Sequence, residues 1–232
     1  MEKTSVQAEI ASYTGKLLRD NFGKGPSSVY VSIKKPFVTL HLRDFLAPME
    51  RVLVSQGKTM KVEETRDILM QELLPEIKAT LKVTANLAVN EMYYDWSLQN
   101  RTGILIGIIN EDEGEDDAAI LEEYSGKEAI HNEIARVSKQ AEKLPASLDS
   151  CMINDRTLII TREGILVRIE KELIRSGFEE ELKLTKRHLE KRLLHASNFE
   201  AILQTNVADI FVDWDFKLDK SYIIIILQPN KH

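Results

Sequence analysis

The sequence predicts an α+β protein made of two tandem α-β-β-α-α-β-β repeats, each an antiparallel sheet with its helices packed on one face. Four observations predict this. Tyr93-Tyr94-Asp95-Trp96-Ser97 is answered by Phe211-Val212-Asp213-Trp214-Asp215, which between them hold both tryptophans, and such self-similarity at a long fixed spacing marks a duplicated unit. Each is followed by an apolar run, Gly103-Ile104-Leu105-Ile106-Gly107-Ile108-Ile109 and Ser221-Tyr222-Ile223-Ile224-Ile225-Ile226-Leu227. The register agrees: Leu46, Glu50, Leu53 and Gly57 recur 120 residues later as Leu166, Glu170, Leu173 and Gly177, while Asp95 and Trp96 recur 118 later. One net contraction of two residues, near the helix-to-strand passage, reconciles the two offsets. Finally, the connections within each β-β pair are too short for anything but antiparallel pairing.

The first repeat opens with a capping-box pattern, Thr4-Ser5-Val6-Gln7, followed by Val6, Ile10, Tyr13, Leu17 and Leu18 at helical spacing. Gly23-Lys24-Gly25-Pro26 stops that helix, since glycine supplies a left-handed cap and proline blocks resumption. Val29–Ile33 and Phe37–Leu42 are β-rich runs around Lys34-Lys35-Pro36 and predict a hairpin. A short helix over Leu46–Gln56 ends at Gly57. A longer one begins near Lys61 with Ile68, Leu69, Leu73, Ile77 and Leu81 on one stripe, and Pro75 is expected to kink or restart it. Leu87–Trp96 is a strand with Met92, Tyr94 and Trp96 on the core face and Glu91, Tyr93 and Asp95 on the other. Residues 103–109 are its partner.

The order then begins again. Ser125-Gly126-Lys127-Glu128 is a second capping box, and Ile130, Ile134, Val137, Ala141 and Leu144 form the stripe that Pro145 closes. Leu148–Ile153 and Thr157–Thr161 give the hairpin, and Leu166–Ser176 the short helix closed by Gly177. Leu182 to about Leu203 gives the long helix with Leu189, Leu193 and Leu194 inward. Val207–Trp214 and Ser221–Leu227 finish the repeat. The final strand of each repeat is apolar on both faces, where a one-sided sheet would alternate. Both faces are expected to be covered, one by helices and the other by the second repeat, so that the repeats pair as an internal pseudo-dimer; a deeply buried central strand is the alternative.

Composition bounds the function. The net charge of −6 over 232 residues is unevenly placed: residues 1–110 carry +2, the run Glu111–Asp117 carries −6, and residues 118–232 carry −2. The acidic run reads as a solvated linker, giving repeats at 1–110 and 125–232 joined by 111–124. Neither repeat has the basic excess that nucleic-acid backbone binding needs. No apolar run approaches the roughly 18–20 residues of a membrane-spanning helix, so direct membrane insertion is not expected. Met1-Glu2-Lys3-Thr4-Ser5 lacks the order of a signal peptide. With the single cysteine, Cys151, this points to a reducing cytoplasm.

Gly23-Lys24-Gly25-Pro26 after a helix, Leu46-Ala47-Pro48-Met49-Glu50, the Pro75 helix, and the Asp95 strand followed by an apolar strand together resemble the bacterial MpsC family. The resemblance covers residues 3–110 and, more weakly, 125–229, where the glycine turn has become Glu142-Lys143-Leu144-Pro145. It implies a tandem form of an accessory protein linked to a sodium-translocating, membrane-potential-generating system and to inorganic-carbon (bicarbonate) uptake. The implied partner is a protein, a membrane transport complex. No catalytic residues come with the resemblance.

The residues themselves offer two other readings. Gly23, Lys24 and Gly25 could present backbone N–H groups and one ammonium to a small anion or nucleotide, although the turn lacks the length and Ser/Thr of a P-loop. Asp95 and Asp213 could act as acid and base of an enzyme, against the simpler role of bonding their own backbone. Trp96 and Trp214 read as core anchors. His188 and His195 are two helical turns apart, there is no H-E-x-x-H, and Cys151 has no neighbouring base in sequence. No metal site and no cofactor are therefore expected. The favoured reading is a non-enzymatic cytoplasmic accessory protein.

Overall fold

In the first repeat a long helix, α1 (Glu2–Phe22), leads into the hairpin β1 (Ser28–Lys34) and β2 (Phe37–Arg43). Two helices follow, α2 (Pro48–Ser55) and α3 (Thr59–Ala85), then a second hairpin, β3 (Val89–Ser97) and β4 (Thr102–Ile109). The second repeat has α4 (Lys127–Ala141), β5 (Ser147–Asn154), β6 (Thr157–Glu163), α5 (Arg168–Arg175), α6 (Glu179–His195), a short α7 (Phe199–Leu203), β7 (Val207–Asp215) and β8 (Lys220–Leu227). This computed structural model describes residues 2–109 and 123–228, so the acidic run Glu111–Asp117 lies outside the described residues. The chain divides into two units, Met1–Ala119 and Ile120–His232.

Each unit carries its own four-stranded sheet, ordered β1-β2-β4-β3 and β5-β6-β8-β7, with every pairing antiparallel. The predicted α+β class and the repeated element order are what the structure shows. The doubly apolar strands β4 and β8 are interior strands, each flanked on both sides.

Strand alternation sorts the side chains. In the first unit Val38, Leu40, Leu42, Met92, Tyr94, Trp96 and Leu105 pack with Ile10 and Leu18 of α1 and with Val62, Met70, Leu73, Ile77 and Leu81 of α3. On the opposite face Thr39, Tyr93, Asp95, Ile104 and Ile106 are buried as well. The second unit repeats the plan, with Leu158, Ile160, Ile210, Val212, Trp214, Ile223 and Ile225 against Ile130, Ile134 and Val137 of α4 and Leu194 of α6. Gly57 and Gly177, at φ +72° and +84°, close α2 and α5 in the left-handed region that glycine enters without steric cost.

Several local expectations are corrected. Helix α1 begins at Glu2, so the predicted capping positions Thr4 and Ser5 lie within it. Helix α4 starts from Gly126 at φ +87° with no side-chain cap, because Ser125 lies outside the helix. It stops at Ala141, where Glu142 turns to φ −148°, and Leu144 is exposed. Helix α3 runs unbroken through Pro75. Its inward stripe is Val62, Arg66, Met70, Leu73, Ile77 and Leu81, while Ile68 faces out at 60% exposure. The predicted helix 182–203 is two helices, and its buried positions include Lys186, Arg187 and Glu190, whereas Leu189 is only half-buried. Leu73, Ile77 and Leu81 of α3 and Leu194 of α6 are buried as predicted, but hydrophobicity alone missed the charged residues that occupy part of each core face.

Gly103 pairs with Trp96 across β3 and β4. A Cβ there would stand 2.6 Å from Cε3 of the indole. Gly103→Ala is therefore expected to cost about 1–3 kcal/mol through overpacking, measured as a lowered midpoint in urea unfolding followed by tryptophan fluorescence.

Candidate functional site

The residues singled out in sequence are placed as follows. Gly23 sits just past α1 at φ +72°, and a side chain on Gly25 would meet the Gly15 carbonyl oxygen at 2.8 Å. Close backbone approach explains that second glycine. Lys24 Nζ bonds Asp44 Oδ2 at 3.1 Å, and this contact, followed by the Lys24 charge, holds the Asp44 carboxyl below its usual range. Asp95 and Asp213 lie within their strands and not in the turns that follow. Each accepts the N–H of the next residue, Trp96 at 2.7 Å and Trp214 at 2.9 Å. Asp213 also pairs with Lys183 at 2.9 Å. Both aspartates are buried, so each is committed inside its own unit.

The chemistry that sequence reasoning missed lies beneath the tryptophans. In the first repeat Arg66 of α3 is fully buried. Its Nε and Nη2 donate to Glu50 Oε1 and Oε2, both at 2.7 Å, and Nη2 also donates to the Phe45 carbonyl at 2.9 Å. The guanidinium carbon stands 4.5 Å from the Phe45 ring centre, 4.8 Å from Trp96 and 5.5 Å from Phe22. Nη1 has no hydrogen-bond partner, and the surrounding rings supply its compensation. Removing an ion from water costs several kcal/mol. A bidentate carboxylate and cation–π contacts worth about 2 kcal/mol each when desolvated offset it.

Glu50 does two things at once. It is the third residue of α2, and its carboxylate accepts the Ala47 N–H at 2.7 Å at the helix start. Thus one side chain caps the short helix and anchors the buried cation. Glu170 repeats this in the second repeat, accepting the Val167 N–H at 2.9 Å and the Lys186 ammonium at 2.8 Å. Arg66 and Lys186 are 120 residues apart, as are Glu50 and Glu170.

Around Lys186 the second repeat has exchanged its apolar neighbours for polar ones. At the shared register, Leu18, Phe22, Leu42, Met70 and Gly103 become Ser138, Glu142, Arg162, Glu190 and Ser221. Arg162 donates from Nε to Ser221 at 2.9 Å, from Nη1 to Ser138 at 3.0 Å and from Nη2 to Glu190 at 2.5 Å. Trp214 Nε1 donates to Glu190 at 3.1 Å. Lys186 bonds Glu142, lies 3.5 Å from Glu190, and stands 5.7 Å from the Trp214 ring. Burial, then the negative charge of Glu190, pushes the Glu142 carboxyl up to about 9. Burial opposes ionisation of Glu190 too, but Arg162 and Lys186 outweigh it and hold that carboxyl below its ordinary value.

A second polar knot joins α4 to β5. Ser150 Oγ lies 2.7 Å from both Tyr124 Oη and His131 Nε2. Ser150 is buried and both its neighbours occupy it, so the arrangement is a clip between elements. Burial, then the Lys127 charge, lowers the His131 pKa. Among the described residues no group of three or more His, Cys, Asp or Glu is arranged to hold a metal ion.

Comparison with known proteins adds one finding. The family model described as Na+-translocating membrane potential-generating system (MpsC) matches residues 2–111 and again residues 125–229. No curated protein and no solved structure matches the chain.

The charged core sites differ from ordinary core positions in what their removal exposes. Arg66→Met should destabilise the first repeat by about 3–5 kcal/mol, because Glu50, whose side chain is only 12% exposed, is left without its cation. Adding Glu50→Gln should recover part of that loss. A double-mutant cycle in urea measures the coupling, and additive effects would refute the pairing as a stability determinant.

Proposed function

From the premise that this chain belongs to the MpsC family, present as two copies in tandem, we propose that it serves a sodium-linked membrane-potential system as a non-enzymatic accessory protein. It works on the cytoplasmic side through protein contacts with the membrane-bound transport complex. The observation that carries this reading is the double family match in a chain where, among the described residues, no helix is long and apolar enough to cross a membrane. A translocating function in such a chain is reached through partners that do cross. The chemistry of the described sites supports a binding role. Asp95, Asp213, Arg66, Arg162, Lys186 and Glu190 are buried and engaged with their own fold. A supply of inorganic carbon as bicarbonate would be a downstream consequence of the same ion gradient.

Deleting the gene should reduce the sodium-dependent component of the membrane potential, read with a potential-sensitive dye in sodium and in potassium media. The tagged protein should co-purify with an integral-membrane sodium-translocating complex from detergent-solubilised membranes. An unchanged sodium-dependent potential in the deletion strain overturns the proposal.

A further inference from the structure

We propose that the buried cluster of the second repeat is a proton-binding site, holding one proton at neutral pH on Glu142 and sharing it with Glu190. The charge balance requires a neutralising ion. Three carboxylates, Glu142, Glu170 and Glu190, face two cations, Lys186 and Arg162. Fully ionised, the group would hold one uncompensated negative charge. Arg162 and Glu190 are completely buried, and the Lys186 and Glu142 side chains are 2% and 3% exposed. Water does not reach far enough to solvate that charge, and a carboxylate in such a place takes up a proton.

Hydrogen bonding selects which carboxylate takes it. Glu190 receives Arg162 and Trp214 Nε1 and stays ionised. Glu170 receives the Val167 N–H and Lys186. Glu142 receives Lys186 on Oε1, while its buried Oε2 has no hydrogen-bond partner. An O–H at that oxygen, donating to the neighbouring Glu190 carboxylate, satisfies the orphan atom and removes the repulsion together. The charged groups facing Glu142 are therefore Lys186 and Glu190 from α6, Glu170 from α5 and Arg162 from β6. The first repeat has Phe22, Met70 and Leu42 at the positions of Glu142, Glu190 and Arg162, so this proton site has no counterpart there.

The sign follows from the raised value. Between the ordinary 4.5 and about 9, folded Glu142 keeps a proton that the unfolded chain has released. Stability is therefore complete at the acid end of that window and falls as pH rises through it. Glu142 is also the residue that ends α4, so alkaline pH loosens this helix terminus and gives the second repeat a pH response. The lowered His131 and His195 values give the opposite slope, confined to the region near and below their ordinary 6.5. The test therefore belongs above about pH 7.

The whole protein is unfolded in urea at several values from about pH 7 to about pH 8.5. The folding constant of the second repeat should fall about tenfold per pH unit. Glu142→Gln, an uncharged isostere, should remove that slope. Infrared difference spectra of the folded wild type should show a protonated-carboxyl band at neutral pH that disappears in alkali and is missing from Glu142→Gln. A flat wild-type profile, a slope retained in the variant, or stability that follows sodium concentration in place of pH each overturns the proposal. If the variant does not fold, absence of the wild-type band decides against it. The inference does not rest on the family reading, and a protein without effect on membrane potential would leave it intact.

Discussion

Each repeat is organised around a cation buried under its tryptophan and held by the glutamate that opens the neighbouring short helix. That cation, Arg66 or Lys186, comes from the long helix, the glutamate from the short one and the indole from the sheet. Three layers are thereby tied at one point. Desolvating an ion is costly, so the arrangement persists only where every partner is in place. That requirement fixes the rotation of α3 and α6, because only one face of each can put its charge beneath the ring.

The two repeats satisfy the same requirement by different means. In the first, planar Arg66 is stacked among aromatic rings and matched bidentately by Glu50, which suits a guanidinium. Gly103 leaves room for Trp96 to lie flat across the sheet. In the second, Ser221 stands at the glycine position and bonds Arg162, while the indole nitrogen of Trp214 donates to Glu190. Lys186 carries a point charge, which carboxylates compensate better than rings. The replacements of Leu18, Phe22, Leu42, Met70 and Gly103 belong together. Any one alone would bury a polar group without its partner.

Duplication followed by such divergence has put two different buried charge arrangements on one scaffold. The first repeat has one Arg–Glu pair whose charges match. The second has a surplus carboxylate. The shared glutamate-capped helix and tryptophan strand keep both modules on the same fold while the chemistry beneath them differs.

The class, the duplication, the order of elements and most of their bounds were legible in the sequence, because alternation, helical spacing and glycine stops are local properties. The two aspartate–tryptophan strands and the glycines at 57 and 177 were enough to set the register. The charged core was not legible. Arg66, Lys186 and Glu190 lie on the buried stripes of their helices, yet a hydrophobicity pattern treats every charge as outward-facing and so moved the stripes toward Ile68 and Leu189. Their spacing of i, i+4 with Val62 and Met70, or with Leu182 and Leu194, was the available signal. Local sequence thus determined which segments become helix or strand. Tertiary structure decided which charges enter the core, since burial of an ion depends on partners more than 15 positions away, as Glu50 is from Arg66, and on the shape of the ring above it.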